Sequence, residues 1–170
     1  MPDFDDVYQK AKRRHDDEMK QRAAAQETAR AAREAEIDAA AKVLADSFLP
    51  VLKAARTTLK KNGLTLEIDG DDTAKLRPGA HSVRLAFRIV GPKHPIGEHG
   101  QFFEPASEHA AFISDGKTVE LVISREASTL AHGKGRVLVE NESIDAVVGE
   151  ALEKLFDQYY RALDKESRLT

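Results

Sequence analysis

Near the end of the chain, apolar side chains recur at steps of three and four. Ile144, Val148, Ala151, Leu152, Leu155, Phe156, Tyr159 and Leu163 share one face of a helix predicted over residues 144–163, while Asp145, Glu150, Glu153, Lys154 and Asp157 point elsewhere. A stripe this broad needs a surface to lie on, since burying a large apolar side chain contributes roughly 1.5–3 kcal/mol. The same period appears earlier in Ile37, Ala40, Ala41, Leu44, Phe48, Val51, Leu52, Ala55 and Leu59, a second core helix. Pro50 lies inside it, removing one backbone bond and disfavouring helical geometry at Leu49, so a kink is expected there. Asn62-Gly63 ends the helix, with Leu64 as the apolar residue that follows a left-handed cap.

Between the two helices the period shortens to two. Leu64, Leu66 and Ile68 alternate with Thr65, Glu67 and Asp69, a strand with one wet face. Gly70-Asp71-Asp72 turns the chain, residues 74–77 read as a short strand, and Pro78-Gly79 marks another turn. In the strand over residues 81–90, Val83, Leu85, Phe87 and Ile89 face inward while Arg84, Ala86 and Arg88 face outward. Residues 109–114 and 118–124 flank Asp115-Gly116, a pair suited to a tight hairpin turn that sets Phe112 opposite Val119 and Ala110 opposite Leu121. Residues 127–135 form a polar connection. The last strand, residues 136–140, is expected to turn Val137 and Val139 inward, and Asn141 or Ser143 caps the final helix.

The first residues break this pattern. Residues 3–36 have helical composition without Gly or Pro, yet between Gln9 and Glu36 the only large apolar side chain is Met19. Nothing there would face a core, and charge pairs such as Asp16 with Lys20 would sustain the helix instead. The expected organisation is a solvated helical arm over residues 1–36 and an α+β domain over residues 37–170. In order, the elements are a long N-terminal helical arm, a helix with a kink at Pro50, an antiparallel meander of four to five strands and a C-terminal helix. Both core helices lie on one sheet face, giving a two-layer sandwich whose other face is wet or meets another molecule.

Composition narrows function by exclusion. The 170 residues carry a net charge of −3, which disfavours nucleic-acid binding driven by counterion release. Without cysteine there is no disulfide or thiolate chemistry. No secretion signal and no membrane-length apolar run is read, so a cytoplasmic location away from membranes is expected. No phosphate loop, dinucleotide fingerprint, zinc-protease motif or Gly-x-Ser-x-Gly elbow is present, and neither cofactor nor catalytic residues are assigned.

Several residues remain as candidates for contacts. Phe4 and Tyr8, with Val7, form an apolar knot at the tip of the arm. Residues 91–108 hold three prolines and three glycines and read as a long loop, the segment that would gate a pocket. Within it, Phe102 and Phe103 either plug the core, the simpler expectation, or anchor a partner. His94, Glu98, His99, Glu104, Glu108 and His109 have metal-ligand chemistry, but their spacing matches a solvated loop better than a cage. Arg84 and Arg88, joined by Arg136 if it shares their side, form a basic strip that neighbouring Glu67, Glu120 and Glu140 would neutralise. Tyr160, beside Tyr159 on the last helix, suits a rim contact. Lys10, Lys12, Arg13 and Arg14 are followed at once by Asp16, Asp17 and Glu18, which reads as self-pairing rather than a nucleic-acid arm. The expected function is therefore a non-enzymatic interaction or assembly protein that self-associates through its arm, its open sheet face or both. The alternatives are a small-ligand binder or unrecognised enzyme with a pocket between sheet and helices, and a nucleic-acid accessory protein.

Overall fold

The computed structural model describes residues 3–69, 77–78, 82–96, 100–126, 130, 135–139 and 141–167. The turn at Gly70-Asp71-Asp72, most of the short strand expected at 74–77, and Gly79, His81, Glu98, His99 and Glu140 lie outside these residues, as does most of the 127–135 connection. The chain divides into two units, Met1–Glu36 and Ile37–Thr170.

Helix α1 runs over Phe4–Val43. Asp3 starts it: its carboxylate accepts the N–H of Asp5 at 3.1 Å and its carbonyl accepts that of Val7 at 3.2 Å. Asp5 and Asp6 in the first turn complement the positive end of the helix dipole. Every residue over 3–36 is solvent-exposed, and among its charge pairs Arg30 Nε donates to Glu34 Oε1 at 2.9 Å.

Burial begins at Ile37. The helix widens into a π segment at Leu44–Phe48, with the Leu49 N–H bonding the Leu44 carbonyl, and resumes as α2 over Leu49–Lys61. Pro50 explains the irregularity: it has no N–H for the carbonyl four residues back, and its ring needs room there. The disturbance sits just upstream of the proline, and Pro50 itself occupies the tolerated start of α2. At the other end Gly63 takes a φ of 76°, Gly63 N–H bonds the Lys60 carbonyl and Leu64 N–H bonds that of Leu59, a complete Schellman stop.

The main sheet is an antiparallel meander in the order β1 (Thr65–Ile68), β3 (Val83–Val90), β6 (His109–Ser114), β7 (Val119–Ser124) and β8 (Arg136–Val137), with β2 (Arg77–Pro78) also on β3. Helix α2 and helix α3 (Ile144–Ser167) contribute to one core on one face. Leu44, Phe48, Leu52, Leu85, Phe87, Ile89, Phe112, Val148, Ala151, Leu155 and Tyr159 are buried together there. The architecture is α+β, with two helices over one face of a five-strand meander.

Four local expectations are corrected. The β6–β7 hairpin pairs Phe112 with Leu121 and Ser114 with Val119, two residues out of the expected register. Asp115 Oδ1 accepts the N–H groups of Thr118 (2.7 Å) and Lys117 (2.8 Å), which organises a longer turn. An even slip leaves every side chain on its expected face. Second, Val137 and Val139 are exposed, and Leu138 packs on the core instead. Arg136 pairs with Leu121, so it stands on the core side of the sheet rather than in line with Arg84 and Arg88. Third, the loop over residues 91–108 holds a second sheet, β4 (His94–Ile96) paired with β5 (Gln101–Phe103). Its chain then returns beside β3, where Ser107 N–H bonds the Ile89 carbonyl and Ile89 N–H bonds Ser107 Oγ. Fourth, the outer sheet face is not fully open: Ala86, Ala111 and Val122 are buried beneath Leu130.

Gly91 is fixed by close approach. A Cβ there would collide with the Tyr159 ring and hydroxyl and lie 2.9 Å from Pro105 Cγ. Gly91→Ala is expected to cost about 1–3 kcal/mol by overpacking, read as a lower urea midpoint with an unchanged slope.

Candidate functional site

The Schellman stop that ends α2 also builds a wall. Leu59, Asn62, Gly63 and Leu64 line a groove of about 530 Å³ together with Phe156, Tyr159, Tyr160 and Leu163 of α3 and with Pro92 and His94. The α3 stripe is wider than the core needs. Tyr159 is buried and carries the floor, while Phe156 and Leu163 are half-buried and Tyr160 is 54% exposed. The two tyrosine rings meet edge to face at 5.2 Å. Burial raises the Tyr159 hydroxyl above its ordinary range, so it stays protonated at neutral pH.

The predicted contact residues divide among different surfaces. Phe4 is 74% exposed and Tyr8 60% exposed on α1, with Val7 between them also exposed. Phe102 and Phe103 are neighbours in β5, so strand alternation sends them to opposite sides. Phe102 is 65% exposed and only Phe103 is half-buried, which corrects the expectation that both fill the core. The interior is filled by other rings: Phe112 lies 4.6 Å from Phe48 and 5.4 Å from Phe87 between centroids.

On the outer face Arg88 Nε donates to Glu67 Oε2 at 2.6 Å, across the β1–β3 pair that sets the two residues opposite each other. Arg84 also has a partner and is not a free cation. Arg136 makes a separate cluster, donating to Glu142 at 2.7 Å and to Glu150 at 2.6 Å, while Lys154 donates to Glu150 at 2.8 Å. The bond to Glu142 holds the Arg136 guanidinium above its usual range. Glu142 is lowered first by the Val139 N–H and then by Arg136, and Glu150 first by Lys154. Among the described residues, no three His, Asp or Glu side chains converge to hold a metal ion. Of the histidine and glutamate set weighed for that role, Glu98 and His99 lie outside those residues.

His109 lines a shallow depression of about 370 Å³ with Glu67, Asp69 and Arg88. Burial lowers its pKa below 6.5, with Arg88 and Arg84 acting in the same direction and Glu67 and Asp69 opposing. The folded state therefore binds this proton less readily than the unfolded chain. The contribution to stability is present above pH about 6.5 and is lost as pH falls toward the folded pKa. Urea midpoints from pH about 7.5 to about 5 should decline, and His109→Gln should flatten that slope. The carboxylates Asp115, Glu142 and Glu150 are all lowered from values of 3.8 or 4.5, so their losses fall in a more acid window.

These elements define an α+β protein with an exposed helical segment and an apolar groove between the ends of its two core helices. Comparison with protein-family models, curated proteins and solved structures found no match. Among the described residues no helix is long and apolar enough to cross a membrane.

Proposed function

We propose that this chain is a non-enzymatic interaction or assembly protein that self-associates through its helical arm. The observation that carries the reading is the exposure of every residue over 3–36, including a tip on which Phe4, Val7 and Tyr8 are all in water. Exposed aromatic side chains on an otherwise charged helix favour a second surface to cover them. The outer sheet face is the lesser candidate, since Leu130 already covers its apolar centre. Light scattering on the intact chain tests the proposal. A mass above the monomer that rises with concentration is expected through the micromolar range, and a monomeric mass throughout would refute it.

A small-ligand binder is the second reading, favoured by the groove over Tyr159. Its apolar walls with His94 and Asn62 resemble the balance of a ligand site. That reading requires a small molecule to protect the protein against thermal unfolding in a way that Tyr160→Glu abolishes.

A further inference from the structure

We infer that the groove between α2 and α3 takes a small organic cation, a quaternary or tertiary ammonium whose charge is surrounded by methyl or methylene groups. This rests on the ligand-binding reading of the groove, the second of the two above, and names the class of ligand. Three rings line it, those of Phe156, Tyr159 and Tyr160. Aromatic faces carry negative potential, to which a cation is drawn. Tyr160 is the ring most open to solvent, and its plane stands at 72° to that of Tyr159, so the pair forms a corner rather than one flat wall.

The charges around these rings favour the same occupant. Among the described residues that line the groove there is no lysine, arginine, aspartate or glutamate. Residues three apart are neighbours on a helix surface, and Glu153 stands three before Phe156, as Asp157 does before Tyr160, both exposed. The basic residues close by in sequence are turned away: Lys60 and Lys61 lie roughly 100° and 200° around α2 from Leu59, and Arg161 lies roughly 100° around α3 from Tyr160. Lys93 does not line the groove, although Pro92 and His94 do. Arg56, three before Leu59, and Asp164, four after Tyr160, have partners of their own. The C-terminal end of α2, the negative end of its dipole, opens here through Leu59 and Asn62. A metal ion would need oxygen ligands to replace its water, which apolar walls do not supply. An ammonium covered in carbon has no such need, and a groove of about 530 Å³ is in the range of small-ligand sites.

The test follows the isotope-labelled full chain by NMR during titration with choline and, separately, with its uncharged isostere, in which a carbon replaces the nitrogen. Ionic strength is held constant with sodium chloride, at pH about 8, above the ordinary imidazole range. Choline should saturably shift the resonances of Leu59, Phe156, Tyr160 and Leu163 and bind at least about tenfold more tightly than the isostere. Tyr160→Leu keeps an apolar side chain at an exposed position, with its urea midpoint as the check on folding. It should weaken choline at least about fivefold and leave the isostere unchanged. Equal affinity for the two probes, or an equal loss of both in Tyr160→Leu, would overturn the inference and leave the groove as a site for uncharged apolar ligands. Saturation by the isostere alone would do the same. If neither probe moves those resonances the inference falls, and protection against thermal unfolding by an uncharged molecule then decides whether the ligand-binding reading survives.

Discussion

Phe112→Ala is expected to lower the free energy of unfolding by about 3–5 kcal/mol, in the range of buried aromatic truncations. Phe112 is fully buried, tilted against Phe48 at 4.6 Å and stacked on Phe87 at 5.4 Å. It sits on β6, which is hydrogen-bonded to β3 on one edge and β7 on the other, so the strand cannot move inward to close the space. The two remaining rings belong to different layers, the helical segment and the sheet, and would face a void between them. A domain of this kind is stable by about 5–15 kcal/mol in all, so the variant should unfold at a much lower urea concentration than wild type. Phe102→Ala is the control: with its ring largely in water, its midpoint should stay within about 0.5 kcal/mol of wild type. A Phe112 variant no weaker than that control would mean the layers are not joined through this ring.

The core was readable because its signals are periodic. The residues from Ile37 to Leu59 and from Ile144 to Tyr159 that pack together are spaced for helices, and Val83, Leu85, Phe87 and Ile89 for a strand with one inward face. Asn62-Gly63-Leu64 carries its own local chemistry, so the helix stop was legible to the residue. What could not be read was parity over short segments. Arg136, Val137, Leu138 and Val139 alternate equally well in either phase, and what selects Arg136 and Leu138 for the core side lies elsewhere in the chain, in Glu142, Glu150 and Leu121. The strands β4 and β5 have three residues each, too few to show a period of two among the prolines and glycines of residues 91–108. Leu130 stood alone in a polar connection. The small outward residues Ala86 and Ala111 were the sign that something would lie over them.

The groove was invisible for a different reason. It joins the end of α2, two residues after β3 and the late turns of α3, which no window along the sequence brings together. Its one sequence trace was the excess width of the last stripe, where Phe156, Tyr160 and Leu163 extend beyond what one sheet face covers. The arm tip was legible, since Phe4, Val7 and Tyr8 are apolar within a charged run.

Deleting residues 1–36 is expected to convert the assembly to monomers while leaving the remaining body folded. The core cluster contains no residue before Ile37, and the residues removed are exposed wherever they are described, so the deletion withdraws no core side chain. The new helix start loses a cap and acidic first turn, Asp3 with Asp5 and Asp6, which contribute about 1 kcal/mol in total to helix ends of this kind. Near-UV circular dichroism and the urea midpoint should therefore change little, whereas the far-UV helical signal should fall with the loss of most of α1. Light scattering should give one mass, that of the shortened monomer, at every concentration where the intact chain associates. If the shortened chain instead retains the stoichiometry of the intact one, the contact belongs to the body, with the outer sheet face or the groove walls as its surface. A loss of cooperative unfolding would mean that the charged helix supports its own domain, against the exposure on which the assembly reading depends.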